Sequence, residues 1–91
     1  MNDDAPKESL LEFPSRFPIK MMGKDNAEFR NAALQIIEKH AGAIAPDDMR
    51  TTPSSNGNFI SITVTIDAQS QAQLDDIYGE LSAHSAILVA L

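Results

Sequence analysis

The sequence predicts a two-layer α+β sandwich in the order β-α-β-β-α-β. In Phe59 to Ile66, the aliphatics Ile60, Ile62, Val64 and Ile66 alternate with Phe59, Ser61, Thr63 and Thr65, the mark of a strand with one buried face and one largely hydroxylic face. Two other segments, opening at Asp25 and Ser70, begin with capping-box patterns and continue with apolar residues at helical spacing. Shorter apolar or turn-bounded segments before, between and after these complete the order.

Taken from the start, residues 1–9 are acidic, contain Pro6 and have no periodicity, so they are expected to form a disordered tail to a single domain at residues 10–91. Leu10-Leu11-Glu12-Phe13-Pro14 is expected to fold back onto that domain, since its large apolar groups are costly to leave in water. Phe17 to Met22 reads as the first strand, with Phe17, Ile19 and Met21 on one face and Gly23 as its end. Asp25 then serves as N-cap, with Glu28 three residues on, for a helix running to Ala41. Its stripe is Phe29, Ala33, Ile36, Ile37 and His40, and Gly42 stops it. Asp48 to Thr52, between Pro46 and Pro53, suits a sheet edge. Ser54-Ser55-Asn56-Gly57-Asn58 is a hairpin turn centred on Asn-Gly. In the third strand Ile60, Ile62, Val64 and Ile66 face the core. Ser70-Gln71-Ala72-Gln73 caps a second helix with Leu74, Ile77, Tyr78 and Leu81 on its apolar stripe, and Gly79 weakens that helix by about 1 kcal/mol relative to Ala. Ile87 to Leu91 is the last strand. Two helices with one apolar stripe each must cover one face of a four-stranded antiparallel sheet. Right-handed crossovers then put the first and third strands at the centre, which is the ferredoxin-like arrangement.

Composition narrows the function. The chain has 91 residues, no cysteine and no tryptophan, so its stability comes from packing, or from packing plus self-association. There is no apolar run of membrane-spanning length, and the N-terminus is acidic rather than basic-then-apolar, so no membrane contact and a cytoplasmic location are expected. The net charge is −6 and all 7 Lys and Arg lie within the first 50 residues. An acidic chain repels phosphate backbones, and of the exposed strand positions only Phe59 offers a ring for base stacking, so nucleic acid is not an expected partner.

No catalytic or metal constellation is legible. His40 and His84 are the only histidines and stand far apart with no cysteine to join them. Asp75 and Asp76 point about 100° apart on a helix and read as a solvated face, as does the Asp47-Asp48 pair. Ser54 and Ser55 lack a neighbouring base and suit the hairpin turn. The glycines are scattered singly, without a phosphate-loop or dinucleotide pattern, and no cofactor is expected. The candidate ligand-binding residues are Arg16, Lys20, Gly23 and Lys24. Arg16 and Lys20 share a strand face, Lys24 follows at the turn into the first helix, whose amides suit an anion, and Gly23 lets the backbone approach. Asp25 as N-cap competes for those amides. The candidate partner-binding residues are Ser54, Ser55, Gly57, Asn58 and Phe59.

Leu10-Leu11-Glu12-Phe13-Pro14, Phe17, Lys20, Met22-Gly23, Pro53-Ser54-Ser55, Gly57-Asn58, Ser61-Ile62-Thr63-Val64, Ile77-Tyr78, Leu81 and the terminal Val89–Leu91 together resemble the YbeD-like family of uncharacterised bacterial proteins. The resemblance runs from Leu10 to the end. Asn56 and Phe59 depart from it, standing where that family often has Lys and Tyr. The resemblance implies a ferredoxin-like fold close to ACT domains, which regulate amino-acid enzymes by binding small effectors, often at the first strand-to-helix turn. It implies no established activity, though genes of the family often sit near lipoate-attachment enzymes. The expected function is a non-catalytic regulatory or protein-interaction module that binds a protein partner or a small anionic or amino-acid-like effector, and that forms a homodimer. The alternative is a small enzyme subunit whose site is completed at an oligomer or partner interface.

Overall fold

The computed structural model describes residues 12–91. Its elements are β1 (Ser15–Lys24), α1 (Ala27–Ala41), a 3-10 turn at Pro46–Asp48, β2 (Met49–Pro53), β3 (Phe59–Ala68), α2 (Gln71–Ala83) and β4 (Val89–Ala90). The sheet order is β2-β3-β1-β4, antiparallel throughout, with the first and third strands central. This is the predicted ferredoxin-like α+β sandwich. No described helix is long and apolar enough to cross a membrane. The expected tail, residues 1–9, lies outside the described residues, as do Leu10 and Leu11, whereas Phe13 does pack against the core.

One face of the sheet supplies Ile19, Met21, Ile60, Ile62, Val64 and Ile66, and the helices supply Phe29, Ala33, Ile36, Ile37, Leu74, Ile77 and Leu81, all buried in a single cluster. Strand alternation and helical stripe meet as predicted because each element has one apolar side, and burying each large aliphatic contributes about 1.5–3 kcal/mol. Phe17 sits at the margin of this core, edge-on to Tyr78 with ring centroids 6.5 Å apart. Burial raises the Tyr78 phenol above its ordinary pKa, and its hydroxyl donates to the Leu91 carbonyl at 2.8 Å.

Local chemistry corrects several boundaries. Gly23 does not end β1. The strand continues through it to Lys24 because the Phe29 ring lies directly on the glycine: a Cβ there would stand 2.3 Å from the ring and 2.8 Å from the Ala86 carbonyl oxygen. The α1 cap is Asn26, not Asp25. Asn26 has extended backbone and its Oδ1 accepts from Phe29 N at 2.9 Å, while the Asp25 carboxylate pairs with Arg30. Ser70 caps α2 as expected, but Gln73 does not close the box. Its Oε1 accepts from Gln69 N at 2.7 Å, and its amide donates to the His40 carbonyl at 3.0 Å, joining the start of α2 to the end of α1. β2 starts at Met49, one residue late, because Pro46–Asp48 takes the 3-10 turn. β4 has two residues rather than five. The backbone on either side still bonds to β1, through Leu88 N to Met22 O and the reciprocal Leu91–Lys20 pair. His40, at the end of the α1 stripe, is half-buried as its place at a helix end suggests, with 17% of its side chain exposed, and Glu80 of α2 accepts from Lys39 at 2.9 Å and lies 2.7 Å from His40 Nε2.

Three outcomes test this packing. Ile77→Ala should lose about 2–5 kcal/mol in urea denaturation, since Ile77 is fully buried between α2 and the sheet. Gly23→Ala and Gly79→Ala should move the melting temperature in opposite directions. The first forces a Cβ into the Phe29 ring and a backbone carbonyl, at a cost of about 1–3 kcal/mol. The second meets nothing within 4 Å and removes a helix-weakening glycine, a gain of about 0.5–1 kcal/mol. Lys39, and after it His40, hold the Glu80 carboxyl below its ordinary pKa. A depressed carboxyl stabilises the fold above its unfolded-state pKa, and that contribution disappears as pH falls through the folded-state value. Glu80→Gln should therefore melt slightly below the parent at neutral pH, and the two curves should converge in acid.

Candidate functional site

β1 runs without a bulge from Ser15 opposite Ala68 to Lys24 opposite Phe59. Its even-numbered residues, Arg16, Pro18, Lys20, Met22 and Lys24, therefore share the sheet face that no helix covers, while Gly23 belongs to the helix side. Arg16 and Lys20 lie on one face, as their spacing predicts. The four candidate ligand residues do not converge, however. Arg16 and Lys24 stand at opposite ends of the strand, about 26 Å apart at ~3.3 Å per residue.

Each end of β1 has its own chemistry. Arg16 donates to Asp67 at 3.1 Å and pairs with Asp48, so its charge is spent within the fold, and these two carboxylates hold the guanidinium still more firmly protonated. It borders a polar hollow of about 380 Å³ with His40, Gln69 and Gln73. Lys24 borders a smaller hollow of about 260 Å³ with Asn26, Phe29 and Leu88. Asn26 Oδ1 takes the Phe29 amide at the start of α1, and Gly23 lies beneath the Phe29 ring, so the glycine offers no backbone approach to a ligand at this turn.

The candidate partner residues form a self-contained turn. Ser54 Oγ donates to Asn56 Oδ1 at 2.8 Å and accepts from Phe59 N at 3.2 Å. Asn58 N also donates to Asn56 Oδ1, and Gly57 has φ +77°. Asn56 is thus the hub of the turn. The Asn58 carbonyl accepts from Asp25 N at 3.1 Å and fastens the hairpin to the entry of α1. Ser55 is exposed, and Phe59 is half-buried on the uncovered face.

The sequence reading missed Arg50. Its register sets Arg50 opposite Thr63, and Thr63 is opposite Lys20, so Lys20, Thr63 and Arg50 form one line across β1, β3 and β2. The two cations stand two strand spacings apart, about 10 Å. Among the described residues neither has a carboxylate partner. They border a shallow depression of about 420 Å³ with Pro18, Thr52, Ser61 and Leu91. The signal was available: β2–β3 pairing is symmetric about Asn56-Gly57, and Arg50 and Thr63 each stand six residues from that centre. The uncovered face thus holds Arg16, Lys20, Lys24 and Arg50 against Asp67 and, at its margin, Asp48, both of which are engaged with Arg16, while Glu28, Glu38, Asp75 and Asp76 are exposed on the helices. No group of three or more His, Asp or Glu side chains among the described residues could hold a metal ion.

Residues 8–91 match the family model described as "Protein of unknown function (DUF493)". The chain is similar to UPF0250 proteins of Leptothrix cholodnii, 41% identical with all of both chains covered, and Neisseria gonorrhoeae, 40% identical with the same coverage. It is also similar to one of Paraburkholderia phytofirmans, 43% identical over 92% of this chain and 94% of that one. A match spanning the whole described fold, with relatives of the same length, places this chain in the DUF493 (UPF0250) family.

Proposed function

We propose that the protein is a non-catalytic interaction or regulatory module whose working surface is the uncovered face of the sheet. The observation that supports this is the charge asymmetry: in a chain of net charge −6, Asp48 and Asp67 on this face are both taken up by Arg16, and Lys20, Lys24 and Arg50 remain with no carboxylate partner among the described residues. No helix covers this face, and among the described residues Lys20 and Arg50 are not consumed by ion pairs, so they support its use as a surface for another molecule. A pairing of two copies through this face would set like charges against each other. The self-association that the sequence suggests is therefore left to the sheet edges, where β2 is exposed at every residue.

The test is capture of a stoichiometric partner from the protein's own lysate, with the full chain as bait. Lys20→Glu combined with Arg50→Glu should reduce recovery of that partner at least tenfold, while Asp75→Lys with Asp76→Lys on the helix face should leave it intact. Neither pair should shift the melting temperature much, because exposed charges contribute little to stability. Full recovery on the Lys20/Arg50 reversal, or substrate turnover by the purified chain alone, would overturn the proposal.

A further inference from the structure

The occupant of the uncovered face can be specified further, on the reading that this face is the working surface. The line Lys20–Thr63–Arg50 sets an ammonium and a guanidinium on either side of a hydroxyl. Two flexible cationic arms about 10 Å apart at their Cα atoms can close on one carboxylate or phosphate above Thr63. On the β4 side the same face turns apolar: Pro18 and Leu91 border the depression, and Met22 lies opposite the exposed Val89. Charge and apolar strip adjoin on one rigid surface.

Three kinds of occupant compete for it. A free inorganic anion is poorly served: the depression is shallow, no charged or polar side chain there is buried, and the amides of the central strands are engaged in the sheet. Nothing would exclude water from the ion, and the apolar strip would have no role. Single-stranded nucleic acid needs aromatic platforms at the middle of the central strands, but those positions hold Lys20, Met22, Ser61 and Thr63, with Phe59 only at the end of β3. A second copy meets like charge. A polypeptide segment with carboxylates beside apolar side chains satisfies both halves of the surface at once.

We infer that the uncovered face receives an acidic segment of a partner protein, which sets a carboxylate on the Lys20–Thr63–Arg50 line and an apolar side chain against Pro18 and Leu91. The guanidinium of Arg50 can take the carboxylate with two parallel hydrogen bonds, and Lys20 adds a second charge from the other side.

A random-peptide display library selected on the folded full-length chain tests this without knowledge of the natural partner. Selected sequences should be enriched in Asp and Glu next to Leu, Ile, Phe or Met. A representative peptide should perturb the amide resonances of Lys20, Thr63, Arg50 and Leu91. Its affinity should fall at least tenfold for the Lys20→Glu/Arg50→Glu chain and by a smaller factor for Arg50→Gln. The reversed chain should itself select Lys- and Arg-rich peptides. Selection of no peptides, or of peptides without acidic enrichment, would overturn the inference. So would binding indifferent to Lys20 and Arg50, or displacement from the same resonances by polyuridylate or inorganic phosphate. If the charge reversal abolishes partner capture while the selected peptides are not acidic, the face keeps its role and only the identity of the occupant fails. If capture is also indifferent to the reversal, both readings fall.

Discussion

Strand β3 alternates an aliphatic with a hydroxyl residue, and its ten-residue antiparallel pairing with β1 transmits that alternation to the whole sheet. Side chains on a strand change face at every step, so a slip of one residue would bring Ser61 and Thr63 under the helices and expel Ile60 and Ile62. With Ile19 opposite Val64 and Met21 opposite Ile62, the register has one solution that buries the apolar set. The other face then has no remaining freedom. Lys20, Met22 and Lys24 appear on it because they are the neighbours of residues the core requires, and Arg50 joins them because the hairpin fixes β2 to the same register.

The electrostatics follow from this constraint. Arg16 is drawn into an internal arrangement with Asp48 and Asp67, and Arg30 and Lys39 are satisfied by Asp25 and Glu80. What remains of the positive charge is concentrated at the centre of the sheet, where no described carboxylate reaches it. At physiological ionic strength interactions fade over about 8 Å, so the acidic helices on the far side of the core do not neutralise this patch. A chain that is acidic overall can therefore present a locally cationic surface.

Most of the architecture was legible in the sequence because it depends on periodicity, which is local: β3, the stripes of both helices and the Asn-Gly turn were all read from neighbours in the chain. What was not legible depends on contacts between distant segments. Gly23 looks like a strand terminator until Phe29 is seen lying on it. Asp25 and Asn26 are both good caps by composition, and the choice between them turns on Arg30 being within reach of the Asp25 carboxylate. Spacing along one strand points to Lys20 but not to Arg50, because the pairing that sets them in line runs across three strands. Arg16 was singled out for its charge, although Asp48 and Asp67, remote in sequence, neutralise it.

The contact between Gly23 and Phe29 also bears on how such a sequence can drift. The ring blocks every side chain at position 23, and two positions in contact do not vary independently. Shrinking Phe29 would remove only half of the obstruction, because the Ala86 carbonyl, part of the backbone, closes the same space from the other side. No single exchange opens the site. A residue other than glycine at this position needs the Phe29 ring and the Ala86 backbone to shift together, so such a change is expected to travel with changes in the segment between α2 and β4.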